Sequence, residues 1–196
     1  MPVDDMECFF FDPAESTGHL SGNLPHWRQD GVLYFVTFRL ADSLPQDKLA
    51  QWVEERSRWL KRNPEPHTAE QKREYAVLFP RRFHRWLDAG YGACVLDRPV
   101  ITAFMSSVLR HFDGKRYELG EYVVMPNHIH AVLSPLHGFE LSKILQMWKS
   151  YSARNINALL GRSGTLWQKE SFDHIVRGPA QLDRINNYIR NNPTRK

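Results

Sequence analysis

The stretch Tyr122–Leu133, YVVMPNHIHAVL, decides how the chain is read. Tyr122 to Met125 reads as a strand, Met125-Pro126-Asn127 as an interruption, and Ile129 to Leu133 as a second strand or a continuation of the first. Successive side chains of a strand point to opposite faces, so His128 and His130 share one face and Ile129 takes the other. Two neutral imidazoles on one face suit a single divalent metal. A bare His-x-His also occurs on exposed strand faces with no ligand at all. If these two are ligands, their coordination is unfinished, and a third ligand must come from elsewhere.

Upstream, Val32 to Leu40 (VLYFVTFRL) is β-branched and aromatic between turn signals at Asp30-Gly31 and Asp42 to Pro45, which reads as a strand. Lys115 to Leu119 reads as another. Helical spacing of apolar residues runs through Gln46 to Arg62, Thr68 to Phe79, Pro99 to Phe112, Leu141 to Leu160, and Pro179 to about Asn192. Residues 1–30 show no sustained period and read as an irregular arm. Residues 63–97 read as a helical insertion with no assigned role. The order strand, helices, strand pair, helix, helix suggests a single α+β domain over residues 1–196, an antiparallel sheet packed with helices.

Composition narrows the setting. The 196 residues suit one domain, and no apolar run is long enough to span a bilayer. Met1 to Phe10 carries three acidic residues and no basic one, unlike a secretory signal. Cys8 and Cys94 form no metal-ligand spacing and no disulfide framework, so a cytoplasmic protein with no membrane partner is expected. Charge is uneven: residues 1–140 hold 16 Lys/Arg against 19 Asp/Glu, a net −3, whereas residues 141–196 hold 10 against 3, a net +7. Such asymmetry points to a polyanion, although a solvated basic helix face would look the same.

The last helix offers the missing ligand. At about 100° per residue, Leu182, Ile185 and Ile189 fall near 0°, 300° and 340°, and Tyr188 and Asn192 near 240° and 280°. A hydroxyl and an amide oxygen therefore sit one turn apart beside the buried stripe. An ordinary boundary tyrosine followed by a polar residue ahead of Pro193 has the same pattern. Tyr151 and Asn155 repeat the spacing, but at about 280° and 320° from Leu141 they overlap that helix's apolar stripe. Tyr151 is thus read as a packing residue with its hydroxyl at the edge, and as the second choice of nucleophile.

These pieces together carry a resemblance. MPNHIH (125–130) resembles the histidine pair of single-tyrosine HUH transposases. Leu24-Pro25-His26-Trp27 and Tyr34 to Leu40 resemble the opening of REP-associated tyrosine transposases. Trp148-Lys149-Ser150, Leu166-Trp167-Gln168 with Phe172-Asp173, and Tyr188-Ile189-Arg190-Asn191-Asn192-Pro193 follow in the same order. The resemblance implies a ferredoxin-like fold, an antiparallel sheet with helices packed on one face. It implies His128, His130 and Asn192 as metal ligands, Tyr188 as nucleophile, and single-stranded DNA with imperfect palindromic hairpins as substrate. The metal implied is Mg²⁺ or Mn²⁺, although ligand type alone favours Mn²⁺ or Zn²⁺. The sequence departs from the pattern by ending three residues after Pro193 and by carrying the 63–97 segment.

The implied reaction is attack of the phenol on a phosphodiester, leaving a covalent 5′-phosphotyrosine and a free 3′ hydroxyl. Lys149, Arg154, Arg162, Lys169, Arg177, Arg184 and Arg190 are the expected phosphate contacts. Trp167, following a glycine-containing loop, is the expected stacking residue, and Trp148, on an apolar stripe, is expected in the core. Two other classes stay open: a DNA-binding protein that does not cut, and a metal-dependent hydrolase that activates water. Monomer and homodimer are equally compatible with the sequence.

Overall fold

A computed structural model describes residues 10–11, 18–20, 26–44, 46–82, 86 and 90–192. Its centre is a four-stranded antiparallel sheet built from β3 (Tyr34–Arg39), β4 (Tyr117–Val124), β5 (His128–Pro135) and β6 (Phe172–Ile175). The spatial order is β4-β5-β3-β6, with β5 and β3 in the middle. A separate pair, β1 (Gly18–Leu20) and β2 (His26–Arg28), forms a short antiparallel ladder inside the expected irregular arm.

The helices among the described residues are α1 (Gln46–Arg62), α2 (Ala69–Ala76), α3 (Pro99–Arg110), α4 (Leu141–Leu159) and α5 (Pro179–Asn191). Proline at the first turn starts both α3 and α5, where its missing N–H costs nothing. Thr68 caps α2 through a reciprocal pair of bonds with Gln71, and a π-helical turn, Val77–Arg81, continues it. The 63–97 segment therefore holds α2 and a short 3₁₀ turn at Val95–Asp97. None of the helices among the described residues is long and apolar enough to cross a membrane.

In the central sheet the chain runs strand, crossover, hairpin, crossover, strand, the ferredoxin-like arrangement. Both crossovers place a long helix on the same side. Tyr34, Val36 and Phe38 of β3 and Ile129, Ala131 and Leu133 of β5 pack there with Ile101, Met105 and Leu109 of α3 and Ile144, Leu145 and Trp148 of α4. Trp148 lies fully buried as expected, donating from Nε1 to the Tyr117 hydroxyl, which itself donates to the Leu109 carbonyl.

The opposite face carries a smaller cluster: Phe35, Val123 and Val132 of the sheet with Val176 and with Ile185 and Ile189 of α5. One-sided packing thus describes α3 and α4, while α5 lies across the sheet from them. Covered on both faces, β5 is buried along almost its whole length. This second face is where the two histidines emerge.

A candidate active site on the second face

Strand alternation sets the site. Phe35 and Thr37 of β3 and His128, His130 and Val132 of β5 point to the α5 side, opposite the main core. Cross-strand register places His130 against Thr37 and His128 against Arg39. The turn Met125-Pro126-Asn127 closes through the Met125 N–H, which donates to the His128 carbonyl at 2.9 Å.

Both imidazoles are fully buried, and their Nε2 atoms stand 3.0 Å apart. Behind them, His128 Nδ1 is 2.7 Å from Asn127 Oδ1, and His130 Nδ1 is 2.8 Å from Thr37 Oγ1. Phe35 stacks on the His130 ring at 5.3 Å between centroids and 19° between planes. The ring positions are therefore set by packing on one side and hydrogen bonds on the other.

The last helix completes the arrangement. Tyr188 packs its ring edge-on against Phe35 and against His130, and its hydroxyl lies 3.2 Å from His130 Nε2. One turn further, Asn192 is 2% exposed, and neither its Oδ1 nor its Nδ2 has a hydrogen-bond partner. Leaving a buried amide unpaired costs about 1–3 kcal/mol. Among the described residues no cluster of three or more His, Cys, Asp and Glu assembles to hold a metal. The two imidazole nitrogens are neutral donors of a kind a divalent cation can take, and the buried Asn192 amide lies one helical turn beyond Tyr188.

Tyr151 lies on α4, the helix packed on the other face of the sheet, where it is 53% exposed beside Phe104. The packing expected for it is partial: its ring contacts Phe104 while about half of the residue is exposed.

The expected DNA contacts divide. Arg154, Arg162, Lys169, Arg177, Arg184 and Arg190 are exposed. Arg184 precedes Tyr188 by one turn of α5. Arg190 bonds to Glu121 on β4 through Nε at 3.1 Å and Nη2 at 2.6 Å, and that contact raises its pKa. Lys149 is partly buried, its ammonium donating to the Lys169 carbonyl at 2.8 Å, and burial pulls its pKa down to about 8.

Trp167 is a correction. It is 4% exposed, packs edge-on against Phe38 and donates from Nε1 to Ser152 Oγ, so it is a core residue and offers no stacking surface. The preceding glycine loop suggested openness, but the Leu40–Trp167 bridge and the Gln168 N–H donating to the Arg39 carbonyl pin this segment to the end of β3. Thr37, Asn127 and Phe35 were not assigned roles from sequence. The period-two placement of Phe35 and Thr37 was readable, but neither the register that brings them to the histidines nor the orientation of Asn127 was.

Residues 82–192, more than half of the chain, match the model of the family described as transposase IS200 like. The chain belongs to the IS200-like transposase family. It is therefore a DNA transposase, and the matched residues include His128, His130, Tyr188 and Asn192. Among curated proteins none matches the sequence. Of solved structures, one is a REP-associated tyrosine transposase bound to a REP hairpin, 14% identical, covering 89% of this chain and 73% of its own, with a TM-score of 0.44. Another, assigned as a transposase from Deinococcus radiodurans R1, is 14% identical and covers 82% of this chain and 89% of its own, with a TM-score of 0.43.

Proposed function

We propose that this transposase cuts and rejoins single-stranded DNA bearing imperfect palindromic hairpins, with Tyr188 as nucleophile. The observation that carries the reading is the convergence of the Tyr188 hydroxyl on the paired Nε2 atoms of His128 and His130. The motif order along the chain and the net +7 of residues 141–196 support a DNA strand as the substrate.

His128, His130 and the Asn192 amide oxygen would hold Mg²⁺ or Mn²⁺. When bound, the cation supplies charge stabilisation at the scissile phosphate. The rest falls to the chain. Phe35 wedges the Tyr188 ring so that its hydroxyl faces the histidine pair. A free phenol is protonated at neutral pH, so the Tyr188 hydroxyl gives up its proton as its oxygen bonds to phosphorus. The bond from phosphorus to the 3′ oxygen breaks, and that oxygen takes up a proton. The product is a 5′-phosphotyrosine, which conserves the phosphodiester bond energy for rejoining.

Incubation with end-labelled single-stranded hairpin DNA and Mn²⁺, followed by a denaturing gel, tests this. A labelled adduct formed by the wild type and by Tyr151→Phe but lost in Tyr188→Phe is expected. Cleavage without an adduct in all three would replace the reading with metal-activated water, and no reaction at all would favour a binding-only role.

A further inference from the structure

The hydrogen bonds behind the two histidines are not equivalent. Thr37 offers His130 a hydroxyl, which can donate or accept. Asn127 offers His128 an amide, whose two ends are chemically distinct. Which end faces His128 is decided on the other side: Asn127 Nδ2 is 3.0 Å from the Tyr91 carbonyl, an acceptor only. The NH₂ group must face Tyr91, so Oδ1 faces His128. Since Oδ1 only accepts, His128 must donate from Nδ1, and its Nε2 carries the lone pair directed at His130.

We propose that Asn127 is a positioning residue, oriented by the Tyr91 carbonyl, that locks His128 in the Nδ1–H tautomer and so keeps its Nε2 ready to bind a divalent cation. The proposal rests on the metal reading given above. It also assigns a task to the end of the 63–97 segment. The loop after Gly90 is clasped to the end of β3: the Ala93 N–H donates to Asp42 Oδ2 at 2.8 Å, and Gly92, at φ +91°, lies where a Cβ would come within 2.5 Å of the Asp42 carbonyl oxygen. The Asn127 backbone is held to the same place, its carbonyl accepting from the Leu40 N–H at 2.8 Å and that of Pro126 from the Leu96 N–H at 3.2 Å. Asn127 is fully buried.

The asymmetry has a chemical consequence. Two bare Nε2 atoms 3.0 Å apart repel unless a proton or a cation lies between them. With His128 locked, the proton comes from His130, which holds it on Nε2 while Thr37 donates to Nδ1. For His130 to offer its Nε2 to a cation, that proton would have to sit on Nδ1, where the Thr37 hydroxyl could turn to accept it. One histidine is fixed and the other adapts.

The test uses the full chain, ¹⁵N-labelled and free of metal, in two-bond ¹H–¹⁵N correlation spectra that read each imidazole tautomer. Wild type should show His128 as Nδ1–H and His130 as Nε2–H. Asn127→Leu should lose the His128 signature, and Asn127→Asp, which keeps an acceptor, should retain it. Titration with Mn²⁺ alone should show affinity lowered about 10- to 100-fold in Asn127→Leu and recovered in Asn127→Asp. Thermal melts check each fold, and Asn127→Ala, which also lacks a side-chain acceptor, replaces the leucine variant if that one does not fold. A wild-type His128 in the Nε2–H form, or unchanged tautomer and Mn²⁺ affinity in Asn127→Leu, overturns the positioning role. A wild type with the expected tautomers that takes up no Mn²⁺ overturns instead the metal reading beneath it.

Discussion

The hydroxyl of Tyr188 lies 3.2 Å from Nε2 of His130, across 58 residues of chain and from an element on a different secondary structure. Phe35, in contact with both rings, is the third side of the same triangle. Removing only the hydroxyl leaves those ring contacts in place. Tyr188→Phe should therefore fold with an unchanged melting temperature and lose adduct formation by about 10⁴-fold or more, measured by single-turnover cleavage. Retained adduct formation would exclude Tyr188 as nucleophile.

Asn192 separates a ligand role from a structural one by the sign of a stability change. Its amide is buried with both polar atoms unpartnered. A buried amide that made a structural hydrogen bond would lower stability when replaced by alanine, by about 1 kcal/mol or more. Here Asn192→Ala should leave the metal-free protein as stable as wild type or more so, by up to about 1 kcal/mol, while weakening Mn²⁺ binding. Denaturant melts with and without Mn²⁺ measure both. A destabilised metal-free variant with unchanged Mn²⁺ affinity would remove Asn192 from the ligand set.

Trp167 and Ser152 should behave as core. Ser152 Oγ receives the Trp167 N–H and donates to the Trp148 carbonyl, tying α4 to the segment that enters β6. Trp167→Ala is expected to cost about 3–5 kcal/mol. Ser152→Ala, which strands a buried indole N–H, should cost about 1–3 kcal/mol. Urea melts give both values. A Trp167 variant with native stability but weakened DNA binding would return that residue to the DNA surface.

Lys149 predicts a pH dependence. Burial lowers its pKa from the ordinary 10.5 to about 8, so between those values the unfolded chain binds more protons than the folded one. Stability from this group rises as pH climbs from 8 towards 10.5. Tyr34 and Tyr117, whose pKa values burial raises, act in the opposite direction only near pH 10 and above. Lys149→Met lacks the lysine contribution, so its stability relative to wild type should fall between pH 8 and pH 10. Parallel denaturation curves at pH 7, 8, 9 and 10 check it, and a constant difference would show that the ammonium is not desolvated.

Much of this was legible in the chain. The β3 and β5 patterns, and the sharing of one face by His128 and His130, follow from a period of two. The neighbouring positions of Tyr188 and Asn192 follow from a period of 3.6. What a helical stripe cannot state is which face of the sheet it covers, and that choice puts α5 on the histidine side. Phe172–Ile175 escaped notice because four residues, FDHI, carry too little pattern, and their pairing to β3 supplies what their sequence does not. The β1–β2 ladder was hidden for the same reason. Asn127 was visible as a letter of the motif, but its orientation depends on a carbonyl 36 residues away.

The sheet divides the apolar interior into two compartments of unequal size, with α3 and α4 over the larger and α5 over the smaller. The larger holds most of the buried apolar side chains, and His128, His130 and Tyr188 meet on the side of the smaller. Opening of the smaller compartment therefore exposes few apolar side chains, and amides of α5 should exchange with solvent sooner than those of α4. Apolar substitutions beneath α5, at Ile185 or Ile189, should therefore change the opening of α5 more than the exchange of α4 amides.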